Sequence, residues 1–171
     1  MRIVLNDANI LIDLIHLELE VSFFQLEQLE LKTTDFVFEE LHDEQKDKLQ
    51  KFIDDGRLFI IESEEEDLIN ISKILAETSG LSFEDCSVWY FAKSHKGILL
   101  TGDGKLRRQS SDDGVEVRGI LYIFDQLLSN GIISFEYAIL KLNQLYQIND
   151  RLPSDAKKLR IEFWGRSEHI A

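Results

Sequence analysis

A single cysteine, Cys86, in 171 residues excludes an intramolecular disulfide framework and any multi-cysteine zinc site. A reducing compartment, the cytoplasm, is the expected location. One proline (Pro153) and nine glycines exclude collagenous, proline-rich and loop-dominated disordered chains. No stretch approaches the roughly 20 apolar residues that cross a bilayer, so no membrane association is expected. The apolar opening Ile3-Val4-Leu5 meets Asp7 too soon for a signal segment. Basic residues are also scarce. Nineteen Lys and Arg against 32 Asp and Glu leave a net charge of −13, which disfavours diffuse attraction to nucleic acid or anionic membrane. A polyanion therefore needs a metal ion, a local basic strip or a basic partner to bring it in. Hydrophobic residues make up 44% of the chain, enough for a real core. The length suits one domain, which at this size buries about 70% of its unfolded surface.

Short β-branched and apolar runs alternate with segments of helical period. Arg2-Ile3-Val4-Leu5 reads as a buried strand, followed by a helix through Ile10–Ile15 capped by Asp7 or Asn9. A second helix is expected from Val21 to Leu29 and a short strand from Thr33 to Phe38. From Glu39, Leu41, Gln45, Leu49, Phe52 and Ile53 return at spacings of three and four, with Gly56 as the stop. Arg57–Ile61 is the next strand, and Ser63 the expected N-cap of a helix that opens on Glu64-Glu65-Glu66-Asp67 and runs to Gly80. Ser82 opens a further helix with Glu84 and Asp85 in its first turn and Val88, Trp89, Phe91 and Ala92 as its buried stripe. Ile98–Thr101 and Val115–Val117 are the last strands, and the chain is helical in pattern from Ile120. This alternation predicts an α/β fold: a parallel sheet of about five strands covered by helices on both faces. Residues 1–134 are expected to form the domain, and 135–171 a C-terminal helical extension packed on it.

In such sheets ligands collect at the carboxyl ends of the strands. Asp7 follows the first strand, and Asp103 follows Ile98–Thr101 in the small-residue loop Gly102-Asp103-Gly104. Glu39 and Glu40 follow Phe36-Val37-Phe38, read as the start of a helix, and Asp85 lies in the first turn after Ser82. Each is also explicable as a helix-capping or first-turn acid, Asp85 most easily. Several carboxylates in one cleft repel by roughly 3 kcal/mol per pair at 5 Å and an effective dielectric near 20. Protons or a cation must offset this, and hard oxygen donors select Mg²⁺ or Mn²⁺ over zinc. His16, His42, His95 and His169 lack the spaced partner that a zinc helix requires. Cys86 reads as packing.

Four segments then resemble, in order, the motifs of PIN-domain nucleases. Val4-Leu5-Asn6-Asp7-Ala8-Asn9-Ile10-Leu11 resembles the opening strand, acid and helix; Val37-Phe38-Glu39-Glu40-Leu41 the second motif; Leu81-Ser82-Phe83-Glu84-Asp85-Cys86 the third; and Leu99-Leu100-Thr101-Gly102-Asp103-Gly104 the fourth. The resemblance covers about residues 1 to 130, and Gly119 to Ser134 matches a branch that extends the last strand with helices. It implies a PIN-like fold and a metal-dependent endoribonuclease acting on single-stranded RNA, similar to the bacterial toxin (VapC-like) branch. An antitoxin protein partner and a homodimer come with that likeness. By motif position it implies Asp7, Glu40, Asp85 and Asp103 as the catalytic and metal-holding acids, with Asn9 and Thr101 in support. Glu39 remains the alternative to Glu40.

Lys105, Arg107 and Arg108 are the densest basic group beside these acids, and either grip substrate phosphates or balance nearby acids. Lys157, Lys158, Arg160 and Trp164 offer a strand-stacking surface or a helix with one packed aromatic. The rival function is a catalytically silent PIN-fold module that binds a protein partner. A phosphoryl-transfer receiver domain lacks its acidic pair and strand-end lysine here.

Overall fold

The computed structural model describes residues 1–170, with side chains described through Arg166; His169 lies outside the described side chains. The five strands are β1 (Arg2–Asn6), β2 (Leu29–Thr34), β3 (Leu58–Ile61), β4 (Ile98–Leu100) and β5 (Glu116–Arg118). They form one all-parallel sheet in the order β3-β2-β1-β4-β5. Helices α1 (Ala8–His16) and α2 (Glu20–Phe23) join β1 to β2, and α3 (Asp35–Glu40) and α4 (Asp43–Asp54) join β2 to β3. The chain then crosses back through α5 (Glu65–Glu77) and α6 (Phe83–Ser94) to β4, and α7 (Gly104–Asp112) leads to β5. Its winding direction therefore reverses between β1 and β4, and the crevice outside their carboxyl ends is where such sheets hold ligands.

Strand parity builds two cores. Val4, Leu31, Ile98 and Leu100 pack on one face with Ile10, Leu14, Leu49 and Phe124, while Leu5 and Leu99 pack on the other with Val37, Ile71, Val88 and Leu106. Both faces are covered, so the strands read as nearly continuous apolar runs. Helices α8 (Ile120–Ser129), α9 (Phe135–Ile148) and α10 (Ser154–Ile170) complete the first core. Leu142, Leu145 and Trp164 are buried there, the Trp164 ring stacked on Phe124 at 5.8 Å with its Nε1 donating to Asp125 at 2.9 Å. Trp164 is thereby closed to stacking against a nucleic-acid base. Among the described residues no helix is long and apolar enough to cross a membrane.

Several boundaries differ from those the sequence suggests. The second helix ends at Phe23, and Leu29 begins a strand instead of closing a helix. That strand stops at Thr34, whose hydroxyl accepts from Val37 N at 3.1 Å and caps α3. Phe36, Val37 and Phe38, expected in a strand, are therefore helical; Val37 fills the second core and Phe36 meets Phe83 edge-on at 4.7 Å. Glu39 and Glu40 consequently end α3, where Leu41 and His42 break the chain, instead of starting a helix. Glu64, not Ser63, is the N-cap of α5, in a capping box with Asp67, because Ser63 donates through both N and Oγ to Asp35. Helix α5 stops at Glu77, short of Gly80.

Gly97 marks the close approach of the β4 entry to β1: a Cβ there would stand 2.7 Å from the Ile3 carbonyl oxygen. Gly97→Ala is expected to lower stability by about 1–3 kcal/mol in chemical denaturation. An unchanged midpoint would contradict that contact.

Candidate active site at the β1 and β4 carboxyl ends

Asp7 is 4% exposed and forms the N-cap of α1. Its Oδ1 accepts from Ala8 N at 2.8 Å, and its Oδ2 from Thr101 Oγ1 at 2.6 Å and Asn9 Nδ2 at 3.1 Å. Asn9 Oδ1 in turn accepts from Gly102 N at 3.0 Å, tying the loop after β4 to α1. Thr101 also accepts at Oγ1 from Asp103 N at 3.1 Å, so one buried hydroxyl joins the two strand-end loops. Asp103 caps α7 through Oδ1, which accepts from Leu106 N at 2.8 Å. Asp85 closes a capping box with Ser82: its N donates to Ser82 Oγ at 3.1 Å and its Oδ2 accepts from Ser82 N at 3.0 Å.

The charges of these acids act on one another. Burial lifts the Asp7 carboxyl to about 6, with the charges of Asp85 and Asp103 adding to the rise against the Thr101 and Ala8 hydrogen bonds. Asp85 is raised by desolvation, then by Asp103 and Glu84, while its Ser82 contacts oppose the shift. Glu40 is pushed up to about 7 by partial desolvation and then by the charges of Glu84, Asp7 and Asp85. Because Glu40 is an exposed residue, solvent screens part of that rise. Glu39 is exposed and pairs with Lys46 at 3.5 Å.

The feature missed in the sequence is Glu84, whose charge acts on both Glu40 and Asp85. Its signal was its place beside Asp85 in the same first turn. Helix α6 is held against α3 by a buried hydroxyl relay: Thr34 Oγ1 and Ser87 Oγ lie 2.8 Å apart, and Ser87 Oγ donates to the Glu84 carbonyl at 2.7 Å. That pair fixes the N-cap of α3 against α6.

The basic candidates separate. Lys105 and Arg108 are exposed, with the Lys105 ammonium lying over Gly80, whereas Arg107 is half-buried and donates from Nη1 to the Thr101 carbonyl at 3.0 Å. Cys86 is fully buried, and burial pushes its thiol up to about 11. A groove of about 840 Å³ along α5, α6 and α7 contains none of the rim acids, and its Lys93 is already paired with Asp113 at 2.7 Å.

The family model described as a PIN domain matches residues 3–165. The chain belongs to the PIN-domain family. No curated protein matches it. The match runs through α9 and most of α10, and a PIN domain carries a nuclease-type fold.

Every donor on this PIN-domain rim is a carboxylate, hydroxyl or amide oxygen, a set whose chemistry fits a hard divalent ion. Among the described residues no group of three or more His, Cys, Asp or Glu stands close enough together to hold a metal ion. The acids feel one another through charge, as unneutralised like charges held apart do.

The Asp7 shift has a thermodynamic consequence. Its folded pKa of about 6 exceeds the ordinary 3.8, so the native state holds the proton longer than the unfolded chain. The Asp7 contribution to stability is fullest below about pH 4 and is lost as pH rises through 6. Asp7→Asn removes this loss, and in chelator its stability relative to wild type should gain about 2–3 kcal/mol between pH 4 and pH 7. Parallel pH profiles in thermal melts would contradict the burden placed on Asp7.

Proposed function

We propose that this PIN-domain protein is a Mg²⁺- or Mn²⁺-dependent endoribonuclease that hydrolyses phosphodiester bonds of single-stranded RNA, acting as the toxin of a toxin-antitoxin pair. The observation that carries the reading is the buried Asp7 carboxylate, joined through Thr101 to Asp103 at the point where the sheet reverses direction. Asp7 and Asp103 would hold the principal ion, Asp85 would complete its shell, and Glu40 would hold a second ion or position the attacking water. A bound divalent ion supplies charge stabilisation for the phosphate and the leaving oxygen.

The chain's own residues divide the remaining work. Thr101 and Asn9 fix the Asp7 carboxyl, and their hydrogen bonds keep it oriented while its neighbours repel it. Glu40, whose carboxyl is raised by partial desolvation and by its acidic neighbours, is suited to take a proton from water as the water oxygen bonds to phosphorus and the ribose oxygen leaves. Lys105 and Arg108, exposed at the start of α7, supply local positive charge for RNA phosphates on an otherwise acidic protein. The same acidity suits a basic antitoxin.

Purified protein should cleave single-stranded RNA with Mg²⁺ or Mn²⁺ and lose activity in EDTA. Asp7→Asn should lower kcat by at least 100-fold while remaining folded. Equal activity in the variant would refute the assignment. A folded wild type inactive across metals and RNAs would favour the silent interaction module, to which the net charge of −13 lends support.

A further inference from the structure

We propose that Arg107 is a positioning residue for the Asp7 carboxylate, acting through Thr101, and that Gly119 supplies the space its guanidinium needs. The inference rests on the reading of Asp7 as a metal-holding acid. It gives the Arg107 Nη1 donor a duty inside the fold instead of at a substrate phosphate.

Thr101 is fully buried, and each of its polar groups is engaged. Its N–H donates to the Arg118 carbonyl at 3.1 Å, and its hydroxyl donates to Asp7 Oδ2 at 2.6 Å while accepting from Asp103 N at 3.1 Å. Its carbonyl is the exception in kind, because it lies beyond the last β4–β5 pair, Leu100 with Arg118. The chain has turned at Gly119 into α8, so no neighbouring strand is left to serve that oxygen. Arg107, on the first turn of α7, reaches back and donates to it from Nη1 at 3.0 Å. A buried carbonyl without a donor is costly, and a donor that is charged makes the stronger bond. The planar guanidinium holds one fixed direction, which an ammonium on a flexible stem does not.

Gly119 forms the other wall of this arrangement. A Cβ there would stand 2.8 Å from Arg107 Nη1 and 3.9 Å from the Thr101 carbonyl oxygen. Its φ of −109° and ψ of −170° are extended values that any residue adopts, so space and not backbone conformation calls for glycine. An alanine here meets the mobile end of one side chain. It displaces the guanidinium while leaving Arg107, its charge and the backbone in place. Nη1 cannot serve a phosphate without leaving the Thr101 carbonyl unpaired, so only the other guanidinium donors remain for one.

The test uses the full chain with Gly119→Ala, Arg107→Lys and the Gly119→Ala/Arg107→Lys double variant. Mn²⁺ affinity is read by paramagnetic resonance titration, and cleavage of single-stranded RNA is resolved into kcat and KM over a range of salt. A positioning role predicts that Gly119→Ala and Arg107→Lys each weaken Mn²⁺ binding about 10–100-fold. They should lower kcat while leaving the RNA KM and its salt dependence unchanged. Unaltered Mn²⁺ affinity, with a raised KM and a flatter salt dependence in Arg107→Lys, would overturn the proposal in favour of a phosphate grip. Failure of the wild type to bind Mn²⁺ or cut RNA would instead defeat the functional reading. Thermal melts still decide the role of Arg107 in that event: Gly119→Ala and Arg107→Lys disturb the same bond to the Thr101 carbonyl, so their double variant should melt no lower than the worse single one. Additive losses would overturn it.

Discussion

Asp7 holds a negative charge where solvent hardly reaches, at the rim where Asp85 and Asp103 also bring theirs. Effective desolvation of a carboxylate costs several kcal/mol. Hydrogen bonds from Thr101, Asn9 and the Ala8 N–H offset part of it, at about 1.5–3 kcal/mol for each donor to a charged group. The remainder surfaces as a carboxyl lifted to about 6. On the proposed function, a divalent cation is the counterweight to this burden. The Asn9 and Gly102 contact, the Thr101 hydroxyl and the Asp103 N–H form a small frame that resists collapse of the loops on either side.

Helix capping is how the fold delivers these acids. Asp7 caps α1, Asp103 caps α7 and Asp85 belongs to the capping box of α6, and each of these helices starts at the sheet's carboxyl edge. From the sequence, capping competes with ligation as an explanation for each acid. In the folded molecule one carboxylate oxygen does the capping, and the same bond ties the side chain to the rim. Glu40 arrives differently, from the last turn of α3, where the charges of Glu84, Asp7 and Asp85 act on it.

The strands, their parallel arrangement and the helical layers were legible because a sheet buried on both faces must be written as short apolar runs. Strand β2 was misplaced for a physical reason. Leu29, Leu31 and Thr33 alternate with Glu30, Lys32 and Thr34, a pattern of period two, but the stronger β-propensity of Phe36-Val37-Phe38 drew the boundary downstream. Thr34 capping and burial of Val37 override that propensity. Glu84 and Arg107 were harder to see. The influence of the first depends on α3 ending beside α6, and the duty of the second on β5 turning away one residue before Thr101 would need it. Neither is encoded in local pattern, since both arise where separate loops meet.

The proposed nuclease function requires Asp7, Asp85 and Asp103 to share a divalent ion at the junction of β1 and β4. A crystal soaked in Mn²⁺ and measured at the manganese absorption edge tests it most directly. The account predicts one anomalous peak bounded by oxygens of Asp7 and Asp103 at about 2.1 Å, lost in Asp7→Asn. A well-ordered soaked crystal with no peak at that rim, or with manganese bound only elsewhere, would contradict it.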